Sequence, residues 1–162
     1  HSVYSDAFAA PTQEAMDAGI PVITVDGMVN TEVTTFVASD NTQGGTLAGE
    51  FVGKYLEGKG NVLIITSEPG NVTMVERNDG FHAGLAGYPD IKITEVMDDG
   101  LSGMEGYANT VENALNANPD YDFIITNTLI VLMACFPYWR CILINMATSR
   151  SAAMMLMMIC LR

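Results

Sequence analysis

Three side chains carry the chemistry this sequence offers: the carboxylate of Asp26, the guanidinium of Arg77 and the amide of Asn127. Asp26 follows the run Pro21-Val22-Ile23-Thr24-Val25, and Asn127 follows Phe123-Ile124-Ile125-Thr126. Both are expected at the carboxyl ends of strands, where open parallel sheets bind ligands. Arg77 falls early in the helix after a third strand, close enough to lean over the same edge. A carboxylate, a guanidinium and an amide around one cleft suit a polyhydroxylated ligand. Its hydroxyls donate to Asp and accept from Arg and Asn. Hydrogen bonds to charged groups are worth about 1.5–3 kcal/mol each, so a few can outweigh the desolvation of a small sugar. Each residue also has a plainer reading: a turn cap for Asp26, a solvated helix residue for Arg77, a turn former for Asn127. Glu68, Asn71, Asp98 and Asp99 also follow strands, and they read better as loop, cap and turn residues.

Nothing in the chain reads as catalytic. There is no G-x-S-x-G, no H-E-x-x-H and no paired carboxylates at a defensible spacing. His82 has no Cys or Ser partner nearby in sequence and reads as a surface histidine. Cys135, Cys141 and Cys160 fit no zinc spacing. Asp98-Asp99-Gly100 is a turn signal without the spaced oxygen ligands of a calcium loop. Gly44-Gly45 with Gly49 departs from a dinucleotide fingerprint and reads as close backbone packing at a helix start. Asn71-Val72-Thr73 fits a glycosylation sequon, a match common by chance. The expectation is no cofactor, no metal and no catalytic residue.

The elements that must position these residues alternate. Pro11–Ala18 reads as a helix stopped by Gly19. Pro21–Asp26 and Thr34–Ser39 read as short strands, the first of them buried. Thr42–Glu57 is helical with Leu47, Phe51 and Tyr55 on one face and Gly58 as its stop. Asn61–Ser67 is a third strand. Val72–Leu85 is a helix capped by Asn71, with Met74, Phe81 and Leu85 facing the core. Ile91–Met97 is a strand. Ser102-Gly103-Met104-Glu105 is a capping box that opens a helix carrying Met104, Tyr107, Val111 and Leu115. Asp122–Thr126 is the last clear strand. Strands alternating with such helices predict an α/β fold with a doubly wound parallel sheet.

Composition splits the chain. Its 162 residues carry a formal net charge of −12, against the basic face of a nucleic-acid binder. All nineteen acidic residues lie at or before Asp122. Residues 123–162 contain no Asp, Glu or Lys, yet hold all three Cys, the single Trp139 and six of the eleven Met. At average usage, forty residues should hold roughly five acids. The stretch from Leu129 to Tyr138 is uncharged but too short for a membrane span of about twenty residues. Residues 129–162 thus read as an aberrant apolar tail, out of frame with the body. The first residues, His1-Ser2-Val3-Tyr4, show no secretory signal and read as a fragment edge.

Three segments together resemble one family. They are Gly19-Ile20-Pro21-Val22-Ile23-Thr24-Val25-Asp26, then Ala38-Ser39-Asp40-Asn41-Thr42-Gln43-Gly44-Gly45, and Glu76-Arg77-Asn78-Asp79-Gly80-Phe81. They resemble the ribose-type periplasmic sugar-binding proteins of ABC importers, from about Asp6 to Asn127. The resemblance implies a partial type I periplasmic-binding-protein fold, whose two lobes close on a sugar by hinge bending. It implies that Asp26, Arg77 and Asn127 bind ligand and that Ser39, Asp40 and Asn41 form a hinge crossing. Residues 1–38 would then be a remnant of the amino-terminal lobe and 39–128 an incomplete second α/β lobe. At Gly27 the chain departs from the ribose pattern, which has Arg there. The partners so implied are a small sugar and a membrane permease, with no nucleic acid, and the parent would be periplasmic or an extracellular lipoprotein. The effector domain of a LacI-type regulator shares the fold. That class usually has G-H-x-x-I before the third strand, where this chain has Gly58-Lys59-Gly60-Asn61-Val62. An unrelated small α/β enzyme is the third possibility, disfavoured by the missing catalytic set.

Overall fold

The computed structural model describes residues 6–67, 71–98 and 103–128, and the backbone of Arg140–Met146 and Met155–Leu161. Helix α1 (Ala9–Asp17) takes Pro11 in its first turn, where no N–H is needed. Strands β1 (Ile23–Val25) and β2 (Thr35–Val37) form a two-stranded parallel sheet. The body follows: α2 (Asn41–Tyr55), β3 (Lys59–Ser67), α3 (Val72–Leu85), β4 (Asp90–Asp98), α4 (Gly103–Ala117) and β5 (Phe123–Thr126). Strands β6 (Arg140–Met146) and β7 (Met155–Leu161) complete a five-stranded sheet in the order β4-β3-β5-β7-β6.

Strand β3 is the centre of the fold. It pairs in parallel with β4 on one side and β5 on the other. Val62, Leu63, Ile64 and Ile65 are wholly buried, as a run covered on both faces must be. Strand alternation divides them. Val62 and Ile64 join Phe123 and Ile125 under Ala48, Val52, Phe81 and Leu85 of α2 and α3. Leu63 and Ile65 join Ile124 against Tyr107, Val111 and Ala114 of α4. Burying each large aliphatic side chain contributes about 1.5–3 kcal/mol before chain entropy is counted.

Helices α2 and α3 cross backbone to backbone. A Cβ on Gly45 would lie 2.2 Å from the Arg77 carbonyl oxygen, and one on Gly49 would lie 2.5 Å from that of Phe81. From the other side, a Cβ on Gly80 would meet the Thr42 carbonyl at 2.4 Å, and one on Gly84 the Thr46 carbonyl at 2.2 Å. Both spacings are four residues, one helical turn, so the glycines line facing stripes. The close packing read from Gly44-Gly45 is what these helices do. Gly58 ends α2 as expected, at φ 82°, with its N–H reaching back to the Gly53 carbonyl at 2.9 Å.

Three expectations change. The deepest face of α2 is Gly45, Ala48, Gly49 and Val52, while of the large residues read on one face Phe51 packs only partly buried against the core and Tyr55 stays half-exposed beside Phe123. Small side chains win that face because α3 comes too close for large ones. Likewise Met104 stands exposed at the start of α4, while Tyr107 and Val111 are buried. The strand read as buried at Pro21–Asp26 is shorter and open: Ile23 and Val25 are 63% and 61% exposed. Its apolar content calls for cover on two faces, yet β1 pairs with β2 alone, and Ile23, Val25 and Phe8 border an open cavity of about 250 Å³.

The parallel sheet holds for β4-β3-β5. Beyond it, β7 runs antiparallel to β5, with Ile124 level with Cys160, and β6 runs antiparallel to β7. The tail, read as aberrant, thus adds an antiparallel pair of strands to the parallel sheet. Leu129 to Tyr138, Glu68, Asp99 and Ser102 lie outside the described residues. Among those described, no helix is long and apolar enough to cross a membrane.

Candidate functional site

The candidate site gathers residues from the carboxyl end of β1 in the small sheet, from that of β5 in the large one, and from the start of α3. Asp26 leaves β1 with φ 64°, a backbone conformation that Asp tolerates better than most residues. Its N–H donates to the Val37 carbonyl, and the N–H of Gly27 folds back onto the Val25 carbonyl, each at 2.8 Å. The turn aims the chain at α3, where the Thr73 hydroxyl donates a long 3.4 Å hydrogen bond to the Asp26 carbonyl. Asn71 caps that helix, its Oδ1 accepting from the Thr73 N–H at 3.1 Å.

Arg77 is one turn further along α3 and sits half-buried. Its Nε–H donates to Asn41 Oδ1 at 2.9 Å and its Nη1 to the Asn127 carbonyl at 3.0 Å. Burial lowers its pKa from the ordinary arginine value, while the nearby carboxylates of Asp26 and Glu76 act to raise it. The guanidinium is anchored by hydrogen bonds to Asn41 and Asn127, with the Asp26 and Glu76 carboxylates close enough to favour its charge. Asn41 in turn donates from Nδ2 to Glu76 Oε2 and to the Ser39 carbonyl, each at 3.3 Å.

Asp26, Arg77 and Asn127 are therefore brought into one neighbourhood. Asn127 is buried and meets Arg77 through its main chain. Ser39 and Asp40 lie on the crossing from β2 to α2, and Asp40 caps α2, accepting the Gln43 N–H at 2.8 Å. Asn71 does what a cap does, and at 8% exposure it is a poor glycosylation acceptor. Asp98 is buried at the end of β4 and accepts the Thr110 hydroxyl at 2.5 Å. His82 lies on the surface against Glu95 at 2.9 Å.

Two buried polar residues at this edge escaped the sequence. Asn41 reads there only as part of a crossing, and its reach to an arginine 36 positions away is a tertiary fact. Thr66 is the last residue but one of β3, next to Ile65, which pairs with Thr126. It is 4% exposed, and its hydroxyl finds no hydrogen-bond partner among the described residues. Among the described residues no cluster of three or more His, Cys, Asp or Glu could hold a metal ion.

Residues 1–135 match the family described as periplasmic binding protein domain. The chain belongs to the periplasmic binding protein family. It is 32% identical over 119 residues to the ribose import binding protein of Escherichia coli (strain K12), a match covering 72% of this chain and 39% of that protein. It is 28% identical over 123 residues to the D-apiose import binding protein of Paraburkholderia graminis, covering 75% and 39%. Among solved structures, a solute-binding protein of Burkholderia graminis in complex with D-arabinose superposes with a TM-score of 0.73. That pair is 29% identical, and the match covers 79% of this chain and 44% of that one. A solute-binding protein of Actinobacillus succinogenes with bound D-allose gives a TM-score of 0.71 at 29% identity, covering 83% and 51%. The chain spans about two-fifths of the length of the curated relatives it matches.

Proposed function

We propose that this chain forms part of the sugar-binding receptor of an ABC importer and supplies one wall of its cleft, without catalysis. The observation that carries the reading is Arg77, whose guanidinium is fixed by Asn41 and Asn127 beside Asp26. Among the described residues, two of its five N–H donors serve the protein, and in this reading the others face ligand oxygens. Asp26 supplies the complementary acceptor for sugar hydroxyls. The polyol-binding relatives support a small sugar as ligand, and their names as import binding proteins support a membrane permease as partner. The same relatives support a periplasmic location for the parent protein, an extracellular lipoprotein being the other form of this reading. Residues 38–41 are the hinge in this reading, because they join the small sheet to the large one.

One wall grips weakly. The expected dissociation constant for pentoses and hexoses is above about 1 mM, since a closing receptor draws its affinity from both sides of the ligand. Titrating D-ribose, D-allose and D-arabinose to tens of millimolar should move amide and guanidinium resonances of Asp26, Arg77 and Asn127. Thermal stability should stay unchanged at about 1 mM sugar, where a micromolar binder would add roughly 4 kcal/mol. Resonance shifts confined to other parts of the chain, or none at all, would overturn the site. A micromolar sugar would show instead that the chain alone makes a complete cleft.

A further inference from the structure

Asn41 occupies an unusual place in this arrangement. It is the first residue of α2, it is 2% exposed, and its side chain spends itself on three partners. Its orientation is forced by what those partners are able to do. Arginine Nε only donates, so the atom facing it must be the amide oxygen. The Ser39 carbonyl and the Glu76 carboxylate only accept, so the atom facing them must be the amide nitrogen, with one hydrogen for each. Flipping the amide would oppose donor to donor and acceptor to acceptor in a buried site.

The consequence for Arg77 is geometric. A guanidinium held by one hydrogen bond still turns about its side-chain torsions. Held at Nε by Asn41 and at Nη1 by the Asn127 carbonyl, its plane is set. One of those anchors comes from the end of a core strand, the other from the residue that opens α2. The third and fourth ties, to Ser39 and Glu76, join that setting to the main chain of the crossing and to the carboxylate beside the arginine.

We propose that Asn41 is a positioning residue that sets the Arg77 guanidinium for its ligand and ties that setting to the Ser39 main chain of the β2–α2 crossing. The ligand half of this proposal rests on the sugar-cleft reading; the tie between crossing and arginine does not. Movement of the crossing would then shift the arginine, and a ligand that fixes the arginine would order the crossing.

The test uses the whole chain and needs no sugar. The Nε–H resonance of Arg77 is assigned by its loss in Arg77→Lys. In the unaltered chain it should exchange slowly with solvent. In Asn41→Leu, which keeps the bulk and removes both polar atoms, that exchange should speed up at least about tenfold, and the amide of residue 39 or 40 should gain mobility with it. Asn41→Asp keeps an acceptor for Arg77 but turns an oxygen toward two acceptors. It should preserve slow Nε–H exchange while loosening the crossing, a split that a purely structural role would not produce. If Asn41→Leu fails to fold, Asn41→Asp and Asn41→Ser decide the matter by the same two readouts. Slow Nε–H exchange in a folded Asn41→Leu or Asn41→Ser would overturn the proposal. So would an undisturbed crossing in Asn41→Asp. Loss of sugar-induced shifts throughout, with these exchange effects intact, would fault the cleft reading and leave the tie standing.

Discussion

The carbonyl oxygen of Arg77 lies where a side chain on Gly45 would have to be, 2.2 Å from the Cβ position of that glycine. This contact brings the start of α2 within reach of α3, and so lets Asn41 meet the guanidinium. The glycine stripe is thus a condition for the site as well as for the core.

Gly80→Ala should therefore damage both. The new methyl group would meet the Thr42 carbonyl at 2.4 Å and the Gly45 Cα at 2.8 Å, and backbone atoms do not yield cheaply. Overpacking of this kind costs about 1–3 kcal/mol, more where the helices must part. Urea unfolding should show the loss. Gly87→Ala, where a Cβ meets nothing within 4 Å, is the control and should be close to neutral. Equal stability of the two variants would show that the helices separate freely.

The charge of Arg77 should by itself contribute little to stability at neutral pH, its hydrogen bonds more. Burial lowers its pKa, so the charged form is disfavoured on folding, and the attraction of Asp26 and Glu76 offsets part of that cost. The sign follows from linkage. Below the folded-state pKa both states hold the proton and the cost is constant; it is relieved only as pH rises from there toward the ordinary arginine value. Arg77→Leu should nonetheless lower unfolding free energy by about 1–3 kcal/mol, because the buried Asn41 amide oxygen and the Asn127 carbonyl lose their donor. The difference should be flat between about pH 6 and 9, where arginine stays charged in both states. Chemical denaturation at several pH values checks this. A difference that grows steadily across that range would mean a different group controls it.

Thr66→Val should raise stability. A buried hydroxyl without a partner costs about 1–3 kcal/mol, and valine keeps the shape while removing the oxygen. The expected gain is about 1 kcal/mol in the ligand-free chain, measured by thermal or urea unfolding. A loss of that size would show that the hydroxyl has a bonding partner that valine removes.

Much of this architecture is legible before any coordinates. The run Asn61–Ser67 is apolar or β-branched at its centre, and Ile91–Met97 sets β-branched residues among Lys92 and Glu95; both are strands of the core sheet. The helix at Val72–Leu85 starts and stops where its cap and apolar period put it. The face of α2 is harder, because hydrophobic periodicity weighs large side chains, whereas the close crossing is made by Gly45, Gly49, Gly80 and Gly84. Those four-residue spacings are visible in sequence, but only a partner helix gives them meaning. The candidate trio is legible in part through the strand-end rule, which puts Asp26 and Asn127 each just after a strand, although those strands belong to two different sheets. The tie from Asn41 to Arg77 is not, because it depends on how closely two helices pass rather than on any local pattern.

The last prediction concerns the far edge of the sheet. Strand β6 is its outermost strand, seven residues long, and Arg140 is the one charged residue in it. An outer strand presents a row of unpaired main-chain groups, and natural sheets protect such edges with charge, proline or a short strand. Here Cys141-Ile142-Leu143-Ile144 supplies none of these. Ending the chain after Thr128 removes β6 and β7 and leaves β5 at that edge, a strand of only four residues. The full chain should therefore self-associate at micromolar concentration, and the shortened chain should run closer to a monomer. Size-exclusion chromatography of the two, side by side, decides it. A monodisperse full chain beside an aggregated shorter one would show that β7 is the natural cover of β5, with residues 129–162 a working part of this fold rather than an aberrant tail.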